Sequence, residues 1–232
     1  MPRAHPRNPL ALGVLAAALA CTPAAAAAPA TLTTDARCYV QGAQLRMTAG
    51  GLQPNAPLTV ALDGRQLHYG DGSTPRSDAA GSFTSAFATP LLAAGAHERR
   101  HLLRVSDGTH RPRARFTVTR PAGADFQPSS GDPRTLRARF EVWGFSITTR
   151  GDRRPLPVWL HWVNPRGKVR RSAALGTTSG DCGALTTPRR RVFPFAPEAG
   201  SWTLVVDTQR GYRVHADGPR AKIPVHVRSL PH

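Results

Sequence analysis

Residues 113–119 read Arg-Ala-Arg-Phe-Thr-Val-Thr. Ala114, Phe116 and Val118 fall on one side of an extended chain, and Arg113, Arg115, Thr117 and Thr119 on the other. That period of two marks a strand with one buried face and one wet face. The same pattern recurs along the chain. Leu58, Val60 and Leu62 alternate with Thr59, Ala61 and Asp63, and Leu136, Ala138, Phe140 and Val142 alternate with Arg137, Arg139, Glu141 and Trp143. Val158, Leu160 and Trp162 make another inward face, as do Trp202, Leu204 and Val206, and then Ile223, Val225 and Val227. Pro224 lacks an amide donor, which places its strand at a sheet edge or a bulge. Beyond residue 30 no long stretch carries a 3.6 period, and the chain holds 21 Gly and 22 Pro, so the sequence predicts an all-β protein.

The turns between these strands have specific chemistry. Asp63-Gly64 suits a type I′ turn, because both central residues need positive φ, and it predicts a hairpin into Gln66–Tyr69. Asp78-Ala79-Ala80-Gly81 is a second turn, feeding Ser82–Ala88, and Asn164-Pro165-Arg166-Gly167 is a third, closing a hairpin onto Val169. Short strands with such frequent turns predict antiparallel sandwiches. Residues 121–133 (PAGADFQPSSGDP) lack an apolar period and hold Asp125 and Asp132 with no base, so they are expected to link a domain over 31–120 to one over 134–232.

Residues 1–30 have the three-part build of a secretory signal peptide: Arg3 and Arg7, an apolar Leu10–Ala20 run, then small residues through Ala28. The apolar run is about half the length that spans a bilayer. The mature chain is therefore expected outside the cytoplasm or at the cell envelope, with no transmembrane segment. Cys21 is expected to leave with the signal; a weak lipoprotein-like box before it is the alternative. Cys38 and Cys182 then remain as an even pair, and an oxidising compartment favours a bridge between them over two buried thiols.

Charge is the other strong signal. Arg3 and Arg7 precede Ala30, so 29 of the 31 basic residues and all 14 acidic ones belong to the mature chain. Only Lys168 and Lys222 are lysines, a bias that a GC-rich genome also produces. The excess is concentrated in 134–232, where Arg166, Lys168, Arg170 and Arg171 flank a hairpin turn and Arg189-Arg190-Arg191 precede Val192-Phe193-Pro194-Phe195. Guanidinium forks suit phosphate, sulfate and carboxylate groups, so these seven residues are the candidate polyanion site, toward an anionic envelope polymer or acidic polysaccharide. Solvated loops that keep the chain soluble are the plainer reading. A protein partner is a further option, since Trp143 and Trp159 fall on the outward faces of their strands.

Leu58–Gly64, Asp78–Phe83 and Arg113–Arg120 resemble bacterial immunoglobulin-like domains. Gly144-Phe145, Leu160-His161-Trp162, Gly180-Asp181-Cys182-Gly183, Val192–Phe195 and Gly200–Asp207 resemble a pattern found in secreted two-domain proteins of high-GC bacteria. The resemblance implies two immunoglobulin-like antiparallel β-sandwiches in tandem, and it implies no reaction and no functional residue.

One motif points to chemistry. His97-Glu98-Arg99-Arg100-His101 is a literal HExxH. On a helix its two histidines share a face and bind zinc while Glu98 activates water. On a strand they stand about 13 Å apart, too far for one metal. The extra glycine and histidine of the extended motif are replaced by Arg104 and Asp107. No nucleophile elbow, phosphate-binding loop or CxxC occurs, and no cofactor is implied. The sequence thus favours an exported non-enzymatic structural, adhesive or binding protein. A secreted metal-dependent hydrolase using His97, Glu98 and His101, and a ligand-binding protein using the cleft between the two domains, are the alternatives.

Overall fold

The computed structural model describes residues 29–68, 72–147, 155–215 and 217–228. Residues 1–28 of the expected signal segment, Cys21 among them, lie outside the described residues. The described residues contain strands and turns and no helix.

In the first sandwich, β1 (Thr31–Thr34), β3 (Gln44–Gly50) and β6 (Phe83–Ala88) form one sheet. The facing sheet runs in the order β2 (Cys38–Val40), β8 (Arg113–Thr119), β7 (Glu98–Ser106), β4 (Thr59–Leu62) and β5 (Arg65–Gln66). Leu45, Met47, Val60, Leu103, Phe116 and Val118 fill the space between them. One pairing departs from the antiparallel expectation: β2 runs parallel to β8, with Cys38 opposite Thr117. The cause is the turn after β1, which carries the chain across to the other sheet. The amide of Ala36 donates to the Tyr39 hydroxyl at 2.7 Å, and that hydroxyl donates to the Asp35 carboxylate at 2.6 Å.

The Asp63-Gly64 hairpin forms as its sequence predicts. Leu62 pairs with Arg65 across it, and φ is 50° at Asp63 and 84° at Gly64. No atom lies within 4 Å of a Cβ built on Gly64, so glycine serves the backbone angle there and not packing. Among the described residues the second arm stops at Gln66, and Tyr69 of the expected Gln66–Tyr69 lies outside them.

The second sandwich pairs β10 (Arg137–Trp143) with β9 (Gly123–Gln127) on one side and with β13 (Leu185–Thr186) and β14 (Arg190–Arg191) on the other. Its other sheet runs β12 (Val169–Thr177), β11 (Pro157–Val163), β15 (Gly200–Asp207) and β16 (Arg220–Val227). Pro224 thus sits on an edge strand, as its missing donor requires. Phe140, Phe145, Leu160, Phe193 and Trp202 are fully enclosed in the core. The segment expected as a linker contains β9. Phe126 there is buried opposite Phe140, but one large apolar residue among Gly123, Ala124 and Asp125 leaves no period to read.

The two sandwiches touch at a tight junction. A disulfide joins Cys38 of β2 to Cys182 in the turn before β13, 144 residues apart, with Cα atoms at 5.2 Å. The His97 ring stacks on Trp143 of β10 at 3.7 Å, and the indole donates to the Pro121 carbonyl at 3.0 Å. A Cβ on Gly123 would lie 2.5 Å from that indole, so only glycine lets the ring close over the backbone. The opening pattern breaks beside the junction, where Cys182 Sγ lies 3.8 Å from the Thr117 carbonyl and the Thr119 hydroxyl donates to the His97 carbonyl. Thr117 and Thr119, on the side of β8 expected to be wet, are buried at 7% and 0% exposure.

Candidate functional site

The third turn places the first arginine cluster. The Asn164 side-chain oxygen accepts the amides of Arg166 and Lys168 at 3.1 and 2.8 Å, and the Gly167 amide donates to the Asn164 carbonyl at 2.9 Å. This network holds the β11–β12 turn open, with Arg166 and Lys168 projecting. A register shift between Trp162 and Val163 then sets Arg171 opposite Trp162. Arg171 therefore lies on the inward side of its strand but at the sheet edge, where its guanidinium reaches solvent.

Arg189, Arg190 and Arg191 arrive from the other sheet through β14. The Arg190 guanidinium crosses to β12 and donates to the carbonyls of Ala174 and Leu175 at 3.0 and 3.3 Å. Arg171, Arg189, Arg190 and Arg191 consequently line one groove of about 300 Å³, floored by Trp162 and Pro194. Residues separated by nearly twenty positions become one basic surface. Arg166, Lys168 and Arg170 line a different groove of about 430 Å³, which also holds Glu198. Glu198 accepts from the Asn164 side-chain amide at 3.2 Å, so this second groove carries a compensating charge that the first lacks. The seven predicted residues line two separate grooves, and only the Arg171 groove has no carboxylate in its lining.

The HExxH stretch has no catalytic geometry. Glu98–Ser106 is strand β7 and not a helix. His101 is buried at 4% exposure, and its Nδ1 donates to Asp63 at 2.8 Å. His97 is occupied with Trp143, and its Nε2 lies 3.7 Å from Glu141. Among the described residues no three His, Cys, Asp or Glu side chains are grouped to hold a metal ion. Between the domains, the ring stack and the disulfide occupy part of the contact.

Sequence reasoning missed one arrangement. On the outer face of the β12–β11–β15–β16 sheet, His161 and Asp207 are buried at 0% and 1% exposure. The His161 Nε2 lies 3.1 Å from both the Asp207 carboxylate and the Gln209 carbonyl. A carbonyl only accepts, so Nε2 carries the proton, and in the neutral ring Nδ1 accepts from the Ser172 hydroxyl at 2.7 Å. Arg220 donates to the other Asp207 oxygen at 2.9 Å and to the carbonyls of Arg213 and Val214 at 2.6 and 2.7 Å. Tyr212 covers the imidazole and Arg210 covers Trp159. Residues 208–214 are thus strapped across a sheet face that would otherwise be wet. The available signal was a histidine inside the apolar run Val158–Val163.

No protein-family model matches the chain, and no curated protein matches it. Among solved structures, a titin I-band fragment aligns over 88% of this chain and 66% of its own, at 13% identity and a TM-score of 0.37. A tandem pair of titin immunoglobulin domains aligns over 87% and 98%, at 15% identity and 0.35, and bovine butyrophilin over 87% and 100%, at 11% and 0.29. The sheets and cores of the described residues form two β-sandwiches in tandem. The chain is disulfide-bridged, and among its described residues no helix is long and apolar enough to cross a membrane.

Proposed function

We propose that this chain is an exported, non-enzymatic binding or adhesive protein of the cell envelope that holds anionic polymers through its second sandwich. The observation that carries the reading is the groove shared by Arg171, Arg189, Arg190 and Arg191, four cations from two sheets with no carboxylate in its lining. Planar guanidinium forks pair with phosphate, sulfate or carboxylate groups in two-point contact, and Arg190 is already oriented by its carbonyl partners. The signal-like segment and the Cys38–Cys182 bridge support an address outside the cytoplasm. We place the division between the domains just before β9, which pairs with the second sandwich.

The test is retention on immobilised polygalacturonate and dextran sulfate in a salt gradient. Arg171→Gln, Arg189→Gln and Arg191→Gln are combined, sparing the structural Arg190. Earlier elution of the triple variant from at least one matrix, with an unchanged circular dichroism spectrum, supports the reading. Equal retention of both proteins on both matrices would overturn the site assignment.

A further inference from the structure

We propose a second anion site, in the first sandwich beside the junction, that takes a phosphoryl group between Arg37, Arg113 and Arg115 with Arg100 at its rim. It does not rest on the polymer groove. A pocket of about 610 Å³ lies there, lined by these four arginines together with Asp35 and Asp181. That size suits a small ligand.

Strand register creates the cluster. Arg115 lies opposite Leu102 and Arg100 opposite Thr117, both on the outward face of the β7–β8 pair. Arg113 and Arg115 are two residues apart on one strand, so their backbones stand about 7 Å apart. The diagonal from Arg115 to Arg100 is of similar length, about 7–8 Å. Arg37 completes the ring from the turn before β2, where its carbonyl accepts the Thr117 amide at 2.8 Å. Arg37 and Asp181 directly precede the two bridged cysteines, so the disulfide holds both in place.

The acids nearby do not neutralise this cluster. Asp35 is turned toward the Tyr39 hydroxyl and the Arg46 amide, at 2.6 and 2.9 Å. Glu98 and Asp181 stand at the Arg100 end. Among the described residues, Arg37, Arg113 and Arg115 have no carboxylate within ion-pair distance. Neighbouring like charges on a sheet repel. A dianion with three acceptor oxygens relieves that repulsion and offers each guanidinium a partner.

The test is calorimetric titration of the full, oxidised chain with inorganic pyrophosphate and inorganic phosphate at low salt. One saturable pyrophosphate site is expected in the parent. It should weaken at least tenfold in Arg113→Gln/Arg115→Gln and in the separate loop variant Arg37→Gln. It should stay within twofold in the Arg171/Arg189/Arg191 triple variant. Absence of saturable binding in the parent would overturn the proposal, as would equal weakening in the triple variant or unchanged affinity in both pocket variants. Competition by long-chain polyphosphate then separates two sources of the same group. Displacement of pyrophosphate assigns a polymer terminus to the pocket, and its failure assigns a small phosphorylated molecule; either result upholds the site.

Discussion

Removing the Asp207 carboxylate should loosen the second sandwich and release residues 208–214. Asp207 is 2% exposed by side chain and accepts three hydrogen bonds: from His161 Nε2 at 3.1 Å, the Gln209 amide at 2.9 Å and Arg220 at 2.9 Å. Two of the donors belong to ionisable side chains. Breaking a buried ion pair by deleting one partner costs about 3–5 kcal/mol. Here the stranded groups keep other partners, since Arg220 retains the Arg213 and Val214 carbonyls and His161 retains Gln209. The lower end of the range therefore applies, about 3 kcal/mol for Asp207→Ala. Asp207→Asn keeps one acceptor oxygen but turns an amide donor toward Arg220, and should cost about 2 kcal/mol. The four tryptophans, Trp143, Trp159, Trp162 and Trp202, all lie in the second sandwich or its junction face, so their fluorescence in urea follows this unfolding. Trypsin supplies a local measurement, because Arg210 and Arg213 lie in the strapped segment and should be cut faster in both variants. A loss below about 1 kcal/mol in Asp207→Ala, at an unchanged urea slope and cutting rate, would refute the claim that this network pins the segment.

Acid sensitivity should trace in part to Asp107. Burial alone would raise its carboxyl, but the amides of Gln53, His110 and Thr109 and the His110 ring hold it well below the usual range. A depressed folded value adds stability above the unfolded value, near 4, which is lost as pH falls through the folded one. Urea midpoints of Asp107→Asn measured downward from about pH 5 should therefore fall less steeply than those of the parent. Tyr39 is pushed up to about 12 by burial and by its hydrogen bond to Asp35. Its neutral form is favoured in the fold, so its contribution is present below the unfolded value of about 10 and lost as pH rises toward 12. Ultraviolet phenolate titration should show a late step that Tyr39→Phe removes. Replacing Cys38 and Cys182 together by Ser should cost about 2–5 kcal/mol, with strain able to lower it, and calorimetry of the double variant checks this against the parent.

Side-chain alternation made the strands legible because burial of a pleated sheet leaves a period of two in the chain itself. Leu58–Leu62, Leu136–Val142 and Trp202–Val206 were readable for that reason, as was the Asp63-Gly64 turn, whose backbone angles are a local property. The pairing of Cys38 with Cys182 followed from counting once the signal segment was set aside. The remaining features depend on which strands become neighbours. Thr117 is buried beside Cys182 of the second domain, β9 is a strand through its partner β10, and Arg171 meets Arg189–Arg191 through a register shift and the packing of two sheets. His161 finds Asp207 46 residues away because β11 and β15 pair. By itself the sequence determined an exported-looking, basic, all-β chain. Only the tertiary structure decided which arginines share a groove and which histidine is buried in a network, because those contacts come from long-range strand pairing that residue spacing does not encode.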